Sequence, residues 1–167
     1  IVMTMPIAGA NGPVTVAGSV LIGNAQVLAA ITILELAKAG SPVLYSSYPL
    51  SQDMKRGAQS VAFPEAIQII AGHISMAKYY GVPAMAGGTV SSSKLPDAQA
   101  AYEKSLNGLF SSMVGVDVGI GTVGLFDNYN TLCSEQILID YEICTMMLKR
   151  LSGIEVNDKP LALDTIK

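Results

Sequence analysis

Hydrophobic and polar positions along the chain alternate between short apolar runs and longer stretches in which apolar residues recur every three or four positions. Runs of the first kind have the length of buried β-strands, and stretches of the second kind have the period of an amphipathic helix. The pattern predicts four strand–helix units. The predicted strands are 1–7, 42–45, 82–86 and 116–123, and the predicted helices are 14–39, 64–80, 96–114 and a fourth that Thr131 or Ser134 caps.

The second, third and fourth predicted helices each carry a stripe that we expect to face a core. The stripe of the fourth helix has the most regular spacing. The stripe residues are Ile67, Ile70, Ile74 and Ala77 in the second helix, Ala98, Tyr102, Ser105 and Leu109 in the third, and Ile137, Tyr141, Cys144, Leu148 and Leu151 in the fourth.

A glycine follows each predicted helix, at Gly40, Gly81, Gly115 and Gly153, where a left-handed residue commonly ends a helix. Short connections after the helices and longer polar ones after the strands are typical of a repeated βα unit. Four units fit either a small doubly wound sheet or half of an eightfold barrel, and the near-equal repeat favours the barrel. We therefore predict an α/β fold, a (β/α)8 TIM barrel of which this chain covers about four βα units.

The length of 167 residues suits one domain. An isolated half barrel would leave two open sheet edges, which are a liability for a soluble protein. Residues 155–167 also begin a new helical pattern. We expect residues 1–167 to be a single-domain fragment, half of a TIM barrel plus the start of a C-terminal segment.

The composition is that of buried strands, with 50% hydrophobic and 14% charged residues and a net charge of −3. No basic run occurs, which argues against a nucleic-acid surface. Cys133 and Cys144 have neither disulfide nor metal-type spacing and predict reduced thiols of a cytoplasmic protein. Residues 13–34 are long and uncharged enough to span a bilayer, but their interspersed polar residues favour a buried helix. We expect neither a signal peptide nor a membrane association.

Two sequence features resemble functional motifs but do not predict a functional site. The segment from Gly119 to Gly124 matches G-x-G-x-x-G, but its glycines fall in and just after the fourth predicted strand, whereas a dinucleotide site needs them at a helix start. His73 is the only histidine and falls in mid-helix, so we interpret it as a helix-surface or interface residue. With one histidine, no histidine-based metal cluster is predicted.

The loops after the strands are better candidates for a site, because a barrel gathers the carboxyl ends of its strands at one mouth. Tyrosine rings and a carboxylate there could hold a small cation, although each residue could equally be an ordinary loop residue or helix cap. The candidates are Tyr45, Ser46, Ser47 and Tyr48 at the end of the second strand, Gly87, Gly88, Thr89, Ser91, Ser92, Ser93 and Lys94 at the end of the third, with Asp97 following, and Thr122, Asp127, Asn128 and Tyr129 at the end of the fourth.

Several segments resemble the trimethylamine methyltransferase family, and the likeness runs along nearly the whole chain. The most specific is Ser93-Lys-Leu-Pro-Asp-Ala-Gln-Ala-Ala-Tyr-Glu-Lys104. The others are Ala8-Gly-Ala-Asn-Gly-Pro-Val-Thr-Val-Ala-Gly18, Asn24-Ala-Gln-Val-Leu-Ala29, Asp53-Met-Lys-Arg-Gly57, Pro64-Glu65, Ala77-Lys-Tyr-Tyr-Gly-Val-Pro83, and Ile139-Asp140 through Glu142. The chain resembles the carboxyl-terminal part of the family's barrel.

The resemblance implies a cytoplasmic enzyme that moves a methyl group from a methylated amine to the Co(I) of a separate corrinoid protein. Trimethylamine enzymes of this family carry pyrrolysine, whereas members without it demethylate quaternary amines such as glycine betaine. The sequence shows only standard residues. We expect the pyrrolysine-equivalent position near Gly87, Gly88, Thr89, Ser91, Ser92, Ser93 and Lys94, and substrate binding by Tyr45, Tyr48, Gly87, Gly88 and Asp97. We expect the corrinoid to reside in the partner protein, with no metal or tightly bound cofactor in this chain, and a homo-oligomer.

Two other classes of protein stay open. One is a non-catalytic barrel for binding or assembly. The other is an unrelated barrel enzyme, such as an aldolase or a phosphate-binding isomerase. An aldolase needs a strand-borne lysine, and no predicted strand contains one; a phosphate site needs a glycine loop that residues 119–124 only loosely suggest.

Overall fold

A four-stranded parallel sheet organises the chain. The computed structural model describes residues 1–120 and 123–166. The sheet has the order β1-β3-β6-β7, and α1 to α4 follow its strands. These elements are β1 (Val2–Thr4), α1 (Val16–Ala37), β3 (Tyr45–Ser47), α2 (Pro64–Tyr80), β6 (Ala84–Gly87), α3 (Ala98–Val114), β7 (Val118–Ile120) and α4 (Ser134–Leu151).

Shorter strands and helices accompany the four-stranded sheet. A three-stranded sheet joins β2 (Ile7–Ala8), β4 (Leu50–Gln52) and β5 (Gln59–Ser60), and a hairpin joins β8 (Leu125–Phe126) to β9 (Thr131–Leu132). A tight turn, Asp127–Tyr129, connects the two hairpin strands. Two short helices, α5 (Asp158–Leu161) and α6 (Leu163–Ile166), follow α4.

The strand order bears on the two predicted architectures. The strands are neighbours in chain order and all pair in parallel, as in Val2↔Tyr45, Tyr45↔Ala84 and Met85↔Val118. A doubly wound sheet reverses its strand order at a switch point, and this sheet has no reversal among the described strands. The chain is therefore an α/β structure compatible with part of a barrel, while the closed eightfold barrel stays a prediction.

Two helix ends confirm the glycine signal. Gly81 and Gly115 cap α2 and α3 in the left-handed conformation, with φ of 67° and 87°. The starts of α3 and α4 were predicted less well. Asp97 is the N-cap of α3, which begins at Ala98 and not at Pro96. Cys133 occupies the N-cap of α4 without a side-chain hydrogen bond, and Thr131 lies in β9, so neither predicted cap is correct.

The predicted strand bounds are shifted toward the amino terminus. The predicted strand 42–45 begins only at Tyr45 and runs through Ser46 and Ser47, which were expected in a loop. The third strand, predicted at 82–86, likewise begins two residues later than predicted, at Ala84. Part of the fourth, Gly121 and Thr122, lies outside the described residues. An apolar run marks buried chain, whereas the ladder of backbone hydrogen bonds extends into small polar residues that pack equally well.

Only one of the three predicted stripes is buried. The α2 stripe lies in the core, as predicted. The expected α3 and α4 stripes are wrong, since Tyr102 is 55% exposed and Leu148 70% exposed. The buried faces are instead Ala100, Lys104, Asn107, Gly108 and Ser111 in α3 and Gln136, Asp140 and Met147 in α4. These two helices pack through small and polar side chains, which hydrophobic periodicity does not detect.

Helix α1 is covered on one narrow side. It packs on α2 and β1 and buries Ser19, Gly23, Asn24 and Val27. By length and composition alone it could cross a membrane, with a mean hydropathy of 1.8. Only 17% of its most apolar window is buried, so the expectation of a buried helix is met on one face alone.

Candidate functional site

Two tyrosines meet at the carboxyl ends of the parallel strands. Tyr48 directly follows β3, Gly87 ends β6, and Tyr129 comes from the turn after β8. The two rings lie edge to face, with centroids 6.2 Å apart. A Cβ on Gly87 would lie 3.0 Å from Tyr48 Cε1 and 3.4 Å from Tyr129 Oη. The absence of a side chain at Gly87 therefore permits the approach, and we call these three residues the tyrosine site.

Both phenols of the tyrosine site stay neutral at physiological pH. Burial raises the pKa of Tyr48 to about 12. Burial is the main cause that raises the pKa of Tyr129 above its usual value, and the neighbouring Tyr48 adds to the increase. Neutral phenols offer ring faces that attract cations and hydroxyls that can donate a hydrogen bond. The site can therefore hold and orient a cation, and it supplies no general base near neutral pH.

The turn that carries Tyr129 is strained. Asp127, Asn128 and Tyr129 have consecutive positive φ angles of 47°, 54° and 74°. Such conformations cost about 1–3 kcal/mol each in residues other than glycine and persist only where the surroundings enforce them. Strain of this kind clusters at functional sites, so the turn is a second sign that this region has a function.

Hydrogen bonds from two other loops hold the turn in place. The Asn128 side chain accepts from the backbone N–H of Val61 at 3.1 Å and donates to the carbonyl of Gln59 at 3.2 Å. The backbone N–H groups of Asp127 and Asn128 donate to the carbonyls of Ser93 and Ser91, at 2.8 and 3.2 Å. The turn therefore fastens the loops after β5 and β6 to one another beside the tyrosine site.

Tyr45 lies elsewhere. It is fully buried in β3, and its hydroxyl donates to Asn24 Oδ1 at 2.9 Å. Its ring lies 6.1 Å from that of His73 in α2, and burial raises its pKa further above the usual value. Tyr45, predicted to end its strand, instead begins β3, so its expected place at the strand end is wrong, while substrate binding by Tyr45 stays a prediction. Successive strand residues face opposite sides of a sheet, so Tyr45 faces the helices and Tyr48, three residues later, the other side.

Asp97 serves as a helix cap in this structure. Its carboxylate accepts from the backbone N–H of Ala100 and from Ser93 Oγ, both at 2.9 Å. These hydrogen bonds, the Ala100 one foremost, hold the pKa of the exposed Asp97 below its usual value. The structure thus confirms the capping interpretation, and substrate binding by Asp97 stays a prediction.

The serine-rich loop after β6 is folded onto α3. Ser91 Oγ and the Ser92 backbone N–H both donate to Glu103 Oε2 at 2.8 Å. Thr89, Ser91 and Ser93 are buried, whereas Lys94 is exposed. These serine hydrogen bonds therefore stabilise the conformation of the loop. A Cβ on Gly88 would touch only Gly108 Cα, at an ordinary 3.7 Å.

A buried ion pair is the main feature that the sequence reasoning missed. Lys104 Nζ lies 2.6 Å from Asp140 Oδ2, and both side chains are completely buried. Asp140 also accepts hydrogen bonds from Gln136 Nε2 at 2.6 Å and from the Gly124 backbone N–H at 2.7 Å. Both residues fall in the segments that carry the family resemblance. The available signal was the small residues at helical spacing from Lys104 on α3, Ala100, Gly108 and Ser111, which mark a closely packed face.

His73 lies in the core between α1 and α2. Its Nε2 is 3.1 Å from the Val20 carbonyl, and burial lowers its pKa to about 4. A Cβ on Gly23 would lie 2.5 Å from the His73 ring, which explains the close contact of the two helices. The helix-surface interpretation is wrong, and the interface interpretation holds for the contact between helices. Among the described residues, no group of three or more histidine, cysteine or acidic side chains could hold a metal ion.

A large cleft lies elsewhere among the described residues. It opens between α2 and α3 with a volume of about 650 Å³, and Phe63, Tyr102, Glu103 and Phe110 are among its lining residues. A second cleft of about 400 Å³ lies between α3, α4 and the sheet, beside Cys144. Neither includes a residue of the tyrosine site. We place the candidate site by strand-end geometry and backbone strain, because open clefts between outer helices occur in many folds without binding function.

Comparison with known proteins identifies the relatives of the chain. The family model described as trimethylamine methyltransferase (MTTB) matches residues 1–167. The chain is 37% identical over 166 residues to the trimethylamine methyltransferase MttB1 of Methanosarcina mazei, covering 99% of this chain and 33% of that protein. It is 32% identical over 167 residues to the glycine betaine methyltransferase of Desulfitobacterium hafniense (strain Y51), covering 100% and 35%. The chain spans about a third of the length of these relatives.

Proposed function

Because the chain belongs to the trimethylamine methyltransferase family, we propose that it forms part of an enzyme that moves a methyl group from trimethylamine or a related methylated or quaternary amine to a corrinoid protein. The tyrosine site carries this proposal. Its two neutral phenols lie where parallel strands end, which is where barrel enzymes bind their substrates. A closed barrel, a cytoplasmic location and a homo-oligomer are parts of the same proposal.

The tyrosine site suits a quaternary ammonium ion. Such a cation has no proton to lose, so the protein needs no general base, and Tyr48 and Tyr129 provide none near neutral pH. The ring faces replace part of the water around the cation, and Gly87 lets the two tyrosines approach each other at the strand end. Holding the cation in one orientation lowers the entropic part of the barrier to methyl transfer.

The corrinoid belongs to the partner protein in this proposal. When docked, that corrinoid would supply a Co(I) nucleophile for the methyl group, and the amine held by this chain would leave with the bonding electron pair. The rim around Tyr48 and Tyr129 would then be the docking surface for the corrinoid protein.

Two alternatives remain within this proposal. A glycine betaine-type enzyme without pyrrolysine agrees with the standard residues of the sequence and with the relative from Desulfitobacterium hafniense. A trimethylamine enzyme would need pyrrolysine, which we still expect near the loop of residues 87–94. The second alternative is a non-catalytic barrel, which would bind a ligand and transfer no methyl group.

Calorimetric titration tests the proposed cation site. We expect the native protein to bind glycine betaine, or protonated trimethylamine, more tightly than its carbon analogue, in which a neutral carbon atom replaces the cationic nitrogen. A cation over an aromatic face gains about 0.5–2 kcal/mol, so the expected preference is about 2- to 30-fold. The preference should persist in Tyr48→Phe, which keeps the ring, and shrink in Tyr48→Leu. Equal affinity for the cationic ligand and its carbon analogue would refute the site.

A further inference from the structure

The buried ion pair connects three separate parts of the chain. Asp140 of α4 accepts from Lys104 of α3, from Gln136 one helical turn earlier, and from the backbone N–H of Gly124 just before β8. All three hydrogen bonds are 2.6–2.7 Å long. The carboxylate is thus the point at which α3, α4 and the start of the β8–β9 hairpin are fixed to one another.

Lys104 contacts the other end of β8. Its Nζ lies 5.1 Å from the centroid of the Phe126 ring, a cation–π distance. Phe126 is buried and directly precedes the strained turn Asp127–Tyr129. Gly124 directly precedes the two-residue strand β8, and Phe126 is the last residue of that strand. The ion pair therefore holds both ends of the segment that delivers Tyr129 to the tyrosine site.

Stability alone is a poor explanation for this arrangement. Two charges buried together lose most of their Coulombic gain to desolvation, and apolar side chains of similar volume often serve equally well or better. Apolar replacements could pack α3 against α4. They could not accept the Gly124 N–H or attract the Phe126 ring face. What the charges add is one fixed geometry for the hairpin.

We propose that Lys104 and Asp140 are positioning residues that set the location of Tyr129 in the tyrosine site. The effect on catalysis rests on the proposed function, whereas the effect on Tyr129 does not. Loss of the pair should leave a folded protein in which the turn samples several positions and the ring of Tyr129 leaves its contact with Tyr48.

The test uses the native protein with 3-fluorotyrosine at position 129 and the double variant Lys104→Met/Asp140→Leu. We expect the double variant to fold but to melt below the wild-type temperature, because the Gly124 N–H and the Gln136 amide lose their acceptor, while its fluorine resonance shifts and broadens. We also expect kcat/KM for methyl transfer to fall at least about tenfold. The matched control is Lys149→Met/Glu142→Leu, two exposed residues of α4, which should change neither the resonance nor kcat/KM.

The outcomes separate the two proposals. A fluorine resonance that is unchanged in a folded double variant overturns the positioning role. If the wild-type protein transfers no methyl group, the proposed function fails, and the fluorine spectrum still tests the positioning role. If the double variant does not fold, Gln136→Leu removes one hydrogen bond to Asp140 and should give a smaller displacement of the same resonance; no displacement would again refute the proposal.

Discussion

Replacing Gly87 by alanine tests the close packing of the tyrosine site. The new Cβ would lie 3.0 Å from Tyr48 Cε1, about 0.5–1 Å inside the favourable separation of two carbon atoms. The ring of Tyr48 must move or the backbone must shift. Overpacking of this size costs about 1–3 kcal/mol, and we expect a loss in the lower half of that range, because Tyr48 is only partly buried.

The neighbouring glycine offers a matched control. A Cβ on Gly88 would meet only Gly108 Cα at 3.7 Å, so Gly88→Ala should be neutral or stabilise by up to about 1 kcal/mol through the unfolded chain. Urea unfolding measures both variants. In Gly87→Ala, we also expect the phenol of Tyr48, displaced toward water, to titrate below its raised pKa of about 12. Equal stabilities for the two variants would refute the account of Gly87.

Three further predictions concern stability. Burial lowers the folded-state pKa of His73 to about 4, so on acidification the unfolded chain takes up a proton before the folded protein does. The free energy of unfolding should therefore fall by about 3 kcal/mol as pH drops from 6.5 to 4. Urea unfolding of His73→Gln should not show this fall. Asn128→Gly relieves a positive φ but removes two hydrogen bonds, for a net loss of about 1 kcal/mol in urea unfolding; an unchanged midpoint would contradict this. Because the folded-state pKa of Asp97 is lowered, its capping hydrogen bond stabilises α3 at pH values above the unfolded-state pKa, and this stabilisation is lost as pH falls through the folded-state pKa. In thermal melts, Asp97→Ala should therefore melt below wild type at pH 7, and the difference should vanish in acid.

Hydrophobic periodicity predicted the helices better than the faces they bury. It identified α2 within its observed bounds because Ile67, Ile70 and Ile74 pack directly on the sheet. It misassigned α4 because Asp140 is buried in place of Tyr141. A charge that is fully paired inside the protein has no signature in the apolar pattern, so its partner becomes visible only in three dimensions.

The candidate site was predicted in outline and corrected in detail. The rule that strand ends meet correctly brought Tyr48, Gly87 and Tyr129 into one neighbourhood. Tyr45 and Tyr48 were both expected at the mouth because the strand was predicted to end at Tyr45, yet β3 begins there and Tyr45 lies in the hydrophobic core. Strand phase depends on where the ladder begins, and no residue in 42–47 signals that point.

Methyl transfer in a defined mixture tests the central claim most directly. The native protein would be mixed with a reduced corrinoid protein and either trimethylamine or glycine betaine, and the demethylated amine and the methylated corrinoid would be quantified together. We predict that both products appear in equal amounts, that Tyr48→Leu slows the transfer, and that Tyr79→Leu, at a tyrosine 80% exposed on α2, does not. No transfer from any methylated amine would contradict the account.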